Sequence, residues 1–334
     1  MTPDDLAALS DQLFTAAVLC YTVAMLGFCA ELAFGPARRD SDHRVPVAVG
    51  TAAATTGRRS PSLVTRSRVE DRGRSSQGRL PHTRRASWGT LALGMTALGA
   101  VLQTGVLALR GWGTGRVPWG NMYEFGTAAV LVGVIAYLVT ALRSPAMRHL
   151  GLFVTGPVVV SMVLIGLYLY ADAGPLIAAL RSDWLVVHVS AAIISFGVFL
   201  VSATASALFL VQRRREARGA TDDGPWSRLP TAASLDRVAH RAAVFAFPIW
   251  TFAVIAGAIW AESAWGRFWG WDPKETWAFI SWVAYAAYLH ARSTAGWRGA
   301  PAAWVNLVGF ASLVFNLLFV NLVSTGLHSY GGVS

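Results

Sequence analysis

The sequence predicts an all-α polytopic membrane protein, with about eight transmembrane helices and a tryptophan-rich loop outside the cytoplasm. Three observations carry that reading. Of 334 residues, 54% are hydrophobic and only 14% charged, a balance no soluble domain of this length needs. Apolar runs of about 20 residues, long enough to cross ~30 Å of hydrocarbon, recur along the chain. Arginines gather in alternate connections between those runs, the pattern of the positive-inside rule.

The first span covers residues 13–34. Asp4 and Asp5 precede it without any basic residue, so it reads as a membrane helix rather than a cleavable signal peptide. Cys20 and Cys29 both lie within it. Nine positions apart they fall on opposite helix faces, as packing residues. No CxxC pair occurs anywhere.

Residues 35–87 are rich in Arg, Ser, Thr, Gly and Pro and have no apolar periodicity, which predicts a disordered cytoplasmic loop. The sequence therefore divides into an N-terminal helix (1–34), this Arg-rich loop (35–87) and a membrane core (88–334). Span two is 88–109. Span three, 121–142, opens with Asn121 and Glu124 at a capping spacing. A carboxylate this close to the bilayer is costly unless paired or at the surface, and on its own terms Glu124 is a helix cap. Spans four and five follow at 150–170 and 184–211. His188 sits about one turn into span five, and Arg213, Arg214, Arg215 and Arg218 follow it. Span five exceeds what a bilayer needs, so it tilts or protrudes.

Span six is 242–261, with Pro248 inside it. Then comes Trp265-Gly-Arg-Phe-Trp-Gly-Trp-Asp-Pro-Lys-Glu-Thr-Trp277, with four tryptophans and a phenylalanine among charges. It is too polar to span a bilayer and too aromatic for a solvated loop. An interfacial aromatic belt and a platform for a large flat ligand both account for it. Its end signals a helix: Asp272 as N-cap, Pro273 in the first position, Glu275 in the third. That helix is span seven (273–291), and span eight is 302–325. No internal repeat is evident by inspection.

The connections after spans one, three, five and seven hold the arginines, which places both termini and the tryptophan-rich loop outside. His188 and His328 then share the outer side with the loop. His290 lies 17 residues beyond Pro273, ~26 Å along a helix at ~1.5 Å per residue, near the cytoplasmic face. Each histidine alone is accounted for equally well as a hydrogen-bonded interfacial residue. Two at one depth beside an aromatic platform suit a bis-imidazole iron tetrapyrrole.

The stretch 265–277 resembles the WWD signature of the haem-handling proteins of cytochrome c maturation, the System II CcsA/CcsB (ResC-like) branch above all. Asn121-Met122-Tyr123-Glu124, His188, His290 and the ending around His328 support the resemblance, which covers roughly 88–334. Residues 35–87 have no counterpart in it. It implies delivery of haem b across a bacterial plasma membrane and its covalent attachment to CxxCH sites of apocytochrome c, as the WWD subunit of a cytochrome c synthetase. His188 and His328 are the implied axial ligands and His290 an intramembrane ligand. Trp265, Phe268, Trp269, Trp271, Asp272 and Trp277 are implied to hold the macrocycle, and the reacting centre is built from His188, His328, Trp265, Trp269, Trp271 and Asp272. Implied partners are a CcsB/ResB-like membrane protein, apocytochrome c, a thioredoxin-like thiol reductant and membrane lipid, without nucleic acid. The alternatives are a haem exporter that presents haem without making thioether bonds, and an electron-transfer cytochrome b. The last needs facing histidine pairs at one depth, and His290 has no mate in this chain.

Overall fold

Capping chemistry sets where the helices begin and end. In a computed structural model, which describes residues 2–34, 88–174, 180–219, 225–323 and 326–328, eight long helices appear and no strand among these residues. They are α1 (Pro3–Phe34), α2 (Trp88–Thr114), α3 (Met122–Arg143), α4 (Gly151–Tyr168), α5 (Asp183–Ala217), α6 (Ala232–Trp265), α7 (Pro273–Ser293) and α8 (Ala300–Leu322). The Arg-rich loop at 35–87 and the last residues of the tail lie outside the described residues. Asn121 caps α3 through its side-chain oxygen, which accepts the Glu124 N–H at 2.9 Å. Asp272 and Glu275 form a full capping box on α7 with Pro273 behind it, as the sequence predicts. Arg143, Arg214, Arg215 and Arg292 close the last turns of α3, α5 and α7, where cations complement the helix dipole.

The helices outrun their apolar stretches. α5 has 35 residues and α6 has 34, so α6 begins ten residues before the predicted 242. That extra length holds Asp236, which accepts from Arg292 at the end of α7 at 2.7 and 2.8 Å. The protein is integral to the membrane: seven of the eight helices are long and apolar enough to cross one. The eighth, α7, has 21 residues, ~31 Å by helix rise. It runs antiparallel to α6, joined by the Trp282 indole donating to Thr251 at 2.9 Å and by Arg292–Asp236.

Lipid gives helices no hydrophobic reason to associate, so small residues and polar pairs must supply the contact. The backbones of Gly133 on α3 and Gly197 on α5 come so close that a methyl on Gly197 would stand 2.6 Å from the Gly133 nitrogen. Asn306 of α8 donates to Ser202 and Ser206 of α5 at 2.9 and 2.7 Å. The Tyr21 hydroxyl donates to Gln103 at 2.6 Å, and Gln103 to the Thr127 carbonyl at 2.8 Å, tying α1, α2 and α3.

Of the two alternatives the sequence leaves for Glu124, paired or at the surface, the fold takes the first: it is fully buried. Its carboxylate accepts from Arg116 at 2.7 and 3.1 Å, Arg110 at 3.4 Å and the Gly120 N–H at 2.8 Å. Arg110, itself 1% exposed, also donates to the Ala171 carbonyl and lies 4.6 Å from the Tyr123 ring centre. A buried charge needs such partners to avoid its desolvation cost.

Candidate functional site

The α6–α7 loop is folded around one carboxylate. Gly266, with φ +70°, turns the chain out of α6. Glu275 in the first turn of α7 then accepts from the backbone N–H of Gly270 at 2.8 Å and of Asp272 at 3.2 Å, and from Arg267 at 3.3 Å. Between those two amides Trp271 is held at φ +55°, a left-handed conformation that strains a bulky side chain. Its carbonyl accepts from the Thr276 hydroxyl at 3.2 Å.

Asp272 does a second job. Its Oδ2 lies 2.7 Å from His328 Nδ1 and its Oδ1 accepts the Leu327 N–H at 3.1 Å, so the C-terminal tail is pinned to the loop. Burial pushes the His328 pKa below its ordinary value, against the opposing pull of Asp272. Burial also tends to raise the Asp272 carboxyl. The bonds from His328 and from the Leu327 and Lys274 N–H groups outweigh it, and the net direction is down. Both shifts favour a neutral imidazole beside an ionised carboxylate, the pairing in which His328 Nδ1–H donates to Asp272.

His188 reaches the same place from α5. Its Nδ1 lies 2.7 Å from the Ala253 carbonyl of α6, and its ring stacks on Trp260, centroids 6.1 Å apart and planes 12° apart. The other side of the arrangement is His328, 5.7 Å from Trp260 and 4.7 Å from Trp265. Trp260 is thus the ring both histidines share, and it is 2% exposed. Gly257, one turn before it, leaves room for His188: a Cβ there would sit 2.7 Å from the imidazole.

Both histidines line one apolar cavity with Phe268 and Trp269 of the loop. Its far end is walled by Phe196 and Trp250, ten residues below Trp260 on α6 and so ~15 Å deeper. Three buried polar atoms of the lining residues, Trp250 Nε1, Trp269 Nε1 and Asn316 Oδ1, have no partner among the described residues. Buried groups left this way normally answer to something absent from the chain itself.

The predicted set therefore divides. His188, His328, Phe268 and Trp269 come together on the cavity, with Trp265 and Asp272 behind His328. Trp271 is 63% exposed and rests on Trp269 and Phe279 at 5.7 and 6.0 Å. Trp277 packs on Phe315 at 4.2 Å. Neither lines the cavity. His290 is exposed on α7, 17 residues along from Pro273 and apart from the other two histidines. Sequence reasoning missed Trp260, Trp250, Asn316 and Trp119, all of which line the cavity. Trp260 and Gly257 carry a faint signal, since a glycine one turn from an indole in a membrane helix marks a place where another side chain enters.

A polytopic helical membrane protein with two oxygen-anchored imidazoles at an indole-rich loop is the class that the fold and site define. The family described as "Cytochrome C assembly protein" matches residues 119–328. The cytochrome c biogenesis protein CcsA of Gloeobacter violaceus is 34% identical over 296 residues, covering 73% of this chain and 87% of its own. CcsA of Guillardia theta is 34% identical over 265 residues, covering 72% and 85%. Among solved structures, the cytochrome c heme lyase CcmF shares the fold, with a TM-score of 0.61 at 15% identity over 99% of this chain. The present chain spans 48% of that one. The chain belongs to the cytochrome c assembly protein family, as a CcsA-type protein of cytochrome c maturation.

Proposed function

We propose that this chain receives haem b, carries it to the outer side of a bacterial plasma membrane and presents it there for covalent attachment to apocytochrome c. It does so as the WWD subunit of a System II synthetase, with a CcsB/ResB-like partner. The supporting observation is the pair of histidines on one cavity, each with Nδ1 held by an oxygen. Metal-ligating histidines are oriented this way, with Nε2 left to act as ligand, and the donor set fits an iron tetrapyrrole. Haem is here the cargo. Aromatic walls fit a flat ring, and Phe268 and Trp269 stand on the loop side of it.

The chain's own residues contribute binding and orientation. Ala253 and Asp272 fix the two imidazoles, and Trp260 and Trp265 fix their planes. Holding a vinyl group where a thiol can reach it supplies proximity, the main catalytic term available to such a site. Among the described residues no serine, threonine or cysteine lines the cavity. Its depth, down to Trp250, favours a second reading alongside the first: export and presentation of haem without thioether formation by this chain.

The two readings separate in one experiment. The chain is co-expressed with a CcsB/ResB-like protein and a CxxCH apocytochrome, and both the purified complex and the cytochrome are examined by absorption spectroscopy. A low-spin bis-histidine spectrum in the complex with haem-staining cytochrome supports the synthetase. Haem in the complex without covalent product leaves the exporter. A complex without haem, from cells making haem in excess, removes both.

A further inference from the structure

The fold repeats itself, although the sequence does not announce it. α1 packs on α2 and on α4, and α5 packs on α6 and on α8 in the same way. The α2–α3 loop (115–121) and the α6–α7 loop (266–272) each have seven residues. Gly115 and Gly266 open them at φ +61° and +70°. Arg116 and Arg267 follow, each paired with a glutamate eight residues on, Glu124 at 2.7 Å and Glu275 at 3.3 Å. Asn121 and Asp272 cap the next helices. Each matched pair is separated by the same 151 positions. In each loop the glutamate also accepts a glycine N–H at 2.8 Å, from Gly120 or Gly270.

The two halves differ in what lies beneath the loop. In the second half it is the cavity. In the first half Tyr123, in register with Lys274, is 1% exposed and packs between Phe14 and Tyr170 at 5.2 and 5.4 Å. The first loop borders that same cavity. Trp119, Gly120, Asn121 and Met122 all line the space that His188, His328 and Trp269 line. Trp119 Nε1 donates to Ser190 at 3.2 Å, two residues from His188 on α5.

We infer that the α2–α3 loop is the second jaw of the haem site, a structural counterpart of the WWD loop that closes on the same ring from the other side, with Trp119 as its contact residue. The inference rests on the haem reading above and adds a residue to it. Trp119 is placed by Ser190, so its position and that of His188 are set by one helix.

The test uses the full chain with its partner, purified with haem, and measures the rate of haem loss to excess apomyoglobin. Trp119→Ala should speed the loss about tenfold or more, the scale on which truncating a buried aromatic contact acts. Trp119→Phe should stay near wild type, and Ser190→Ala, which removes only the bond, should speed loss a few-fold. The bis-histidine spectrum and the melting temperature of the haem-free protein should stay unchanged, as a merely structural role would not allow. A wild-type rate for both Trp119→Ala and Ser190→Ala, with Trp269→Ala fast, would overturn the second jaw. Should His188→Ala and His328→Ala also keep the wild-type spectrum, the haem reading itself fails, and the jaw with it.

Discussion

His188 and Trp260 lie ring on ring, planes 12° apart and centroids 6.1 Å, with the imidazole further held by the Ala253 carbonyl at 2.7 Å. A histidine fixed on its face and at Nδ1 is oriented before any ligand arrives, which is the condition for a well-defined axial ligand. The first prediction follows from it. His188→Ala and His328→Ala should each lose the haem or turn it high-spin, and added imidazole should restore part of the spectrum and part of the cytochrome yield. His290→Ala should instead lower total haem content while the haem that remains keeps its bis-histidine spectrum. A high-spin remainder in His290→Ala would place that residue at the same iron.

Gly257→Ala tests the pocket without touching a ligand. The new methyl would stand 2.7 Å from the His188 ring, and overpacking of this kind costs ~1–3 kcal/mol. The expected result is a lower melting temperature together with a broadened or lost low-spin signal. Gly94→Ala is the matched control. It meets nothing within 4 Å and should leave stability equal or slightly higher, as Ala over Gly does in a helix by ~1 kcal/mol at most. Equal behaviour of the two variants in thermal melts would contradict the packing described.

Asp272 combines capping and anchoring, and two substitutions separate them. Asp272→Ala removes both and should lower stability by ~0.5–2 kcal/mol for the cap. Asp272→Asn retains a good cap but not the charged acceptor for His328. It should melt near wild type while holding haem about 10–100-fold less tightly, the usual scale for loss of a residue that orients a ligand. Wild-type retention in Asp272→Asn would mean that the tail histidine is positioned by something else.

The pH dependence has a definite sign. Both His328 and Asp272 stand below their ordinary values of 6.5 and 3.8 in the folded chain. The folded state therefore binds fewer protons than the unfolded state, so stability is full above those values and declines on acidification. The decline begins near pH 6.5 through His328. Asp272 adds to it only below about pH 3.8. Thermal melts of wild type should fall more steeply below pH 6.5 than those of His328→Gln. Parallel curves would show that His328 is not held neutral.

Much of this was legible in the residues. Apolar length and arginine placement predict eight helices, and Asn121, Asp272, Pro273 and Glu275 predict where α3 and α7 start, because capping is local chemistry. The convergence of His188, His328 and Trp269 was legible only as shared sidedness. What was not legible depends on which face of a helix turns inward. Residues 242–261 of α6 are apolar on nearly every face, so nothing in their composition separates Trp260, on the cavity, from the exposed Phe252 or Ile255. Glu124 reads as a cap because its partners Arg110 and Arg116 sit on the other side of a turn. The likeness of the two halves is hidden since it resides in Gly, Arg, Asn/Asp and Glu at fixed offsets, while the indoles between them have changed places.

Trp271 holds a left-handed backbone at φ +55°, and such strain costs ~1–3 kcal/mol for a non-glycine residue. It is sustained by Glu275 gripping the amides on either side, a grip that exists only once the first turn of α7 has formed. The segment thus has little local stability of its own, and it can open without global unfolding. In amide hydrogen exchange, the Gly270–Asp272 stretch should exchange well ahead of α6 and α7. Its opening would loosen the neighbouring Phe268 and Trp269, the loop residues that line the cavity, while the helices that wall it stay folded.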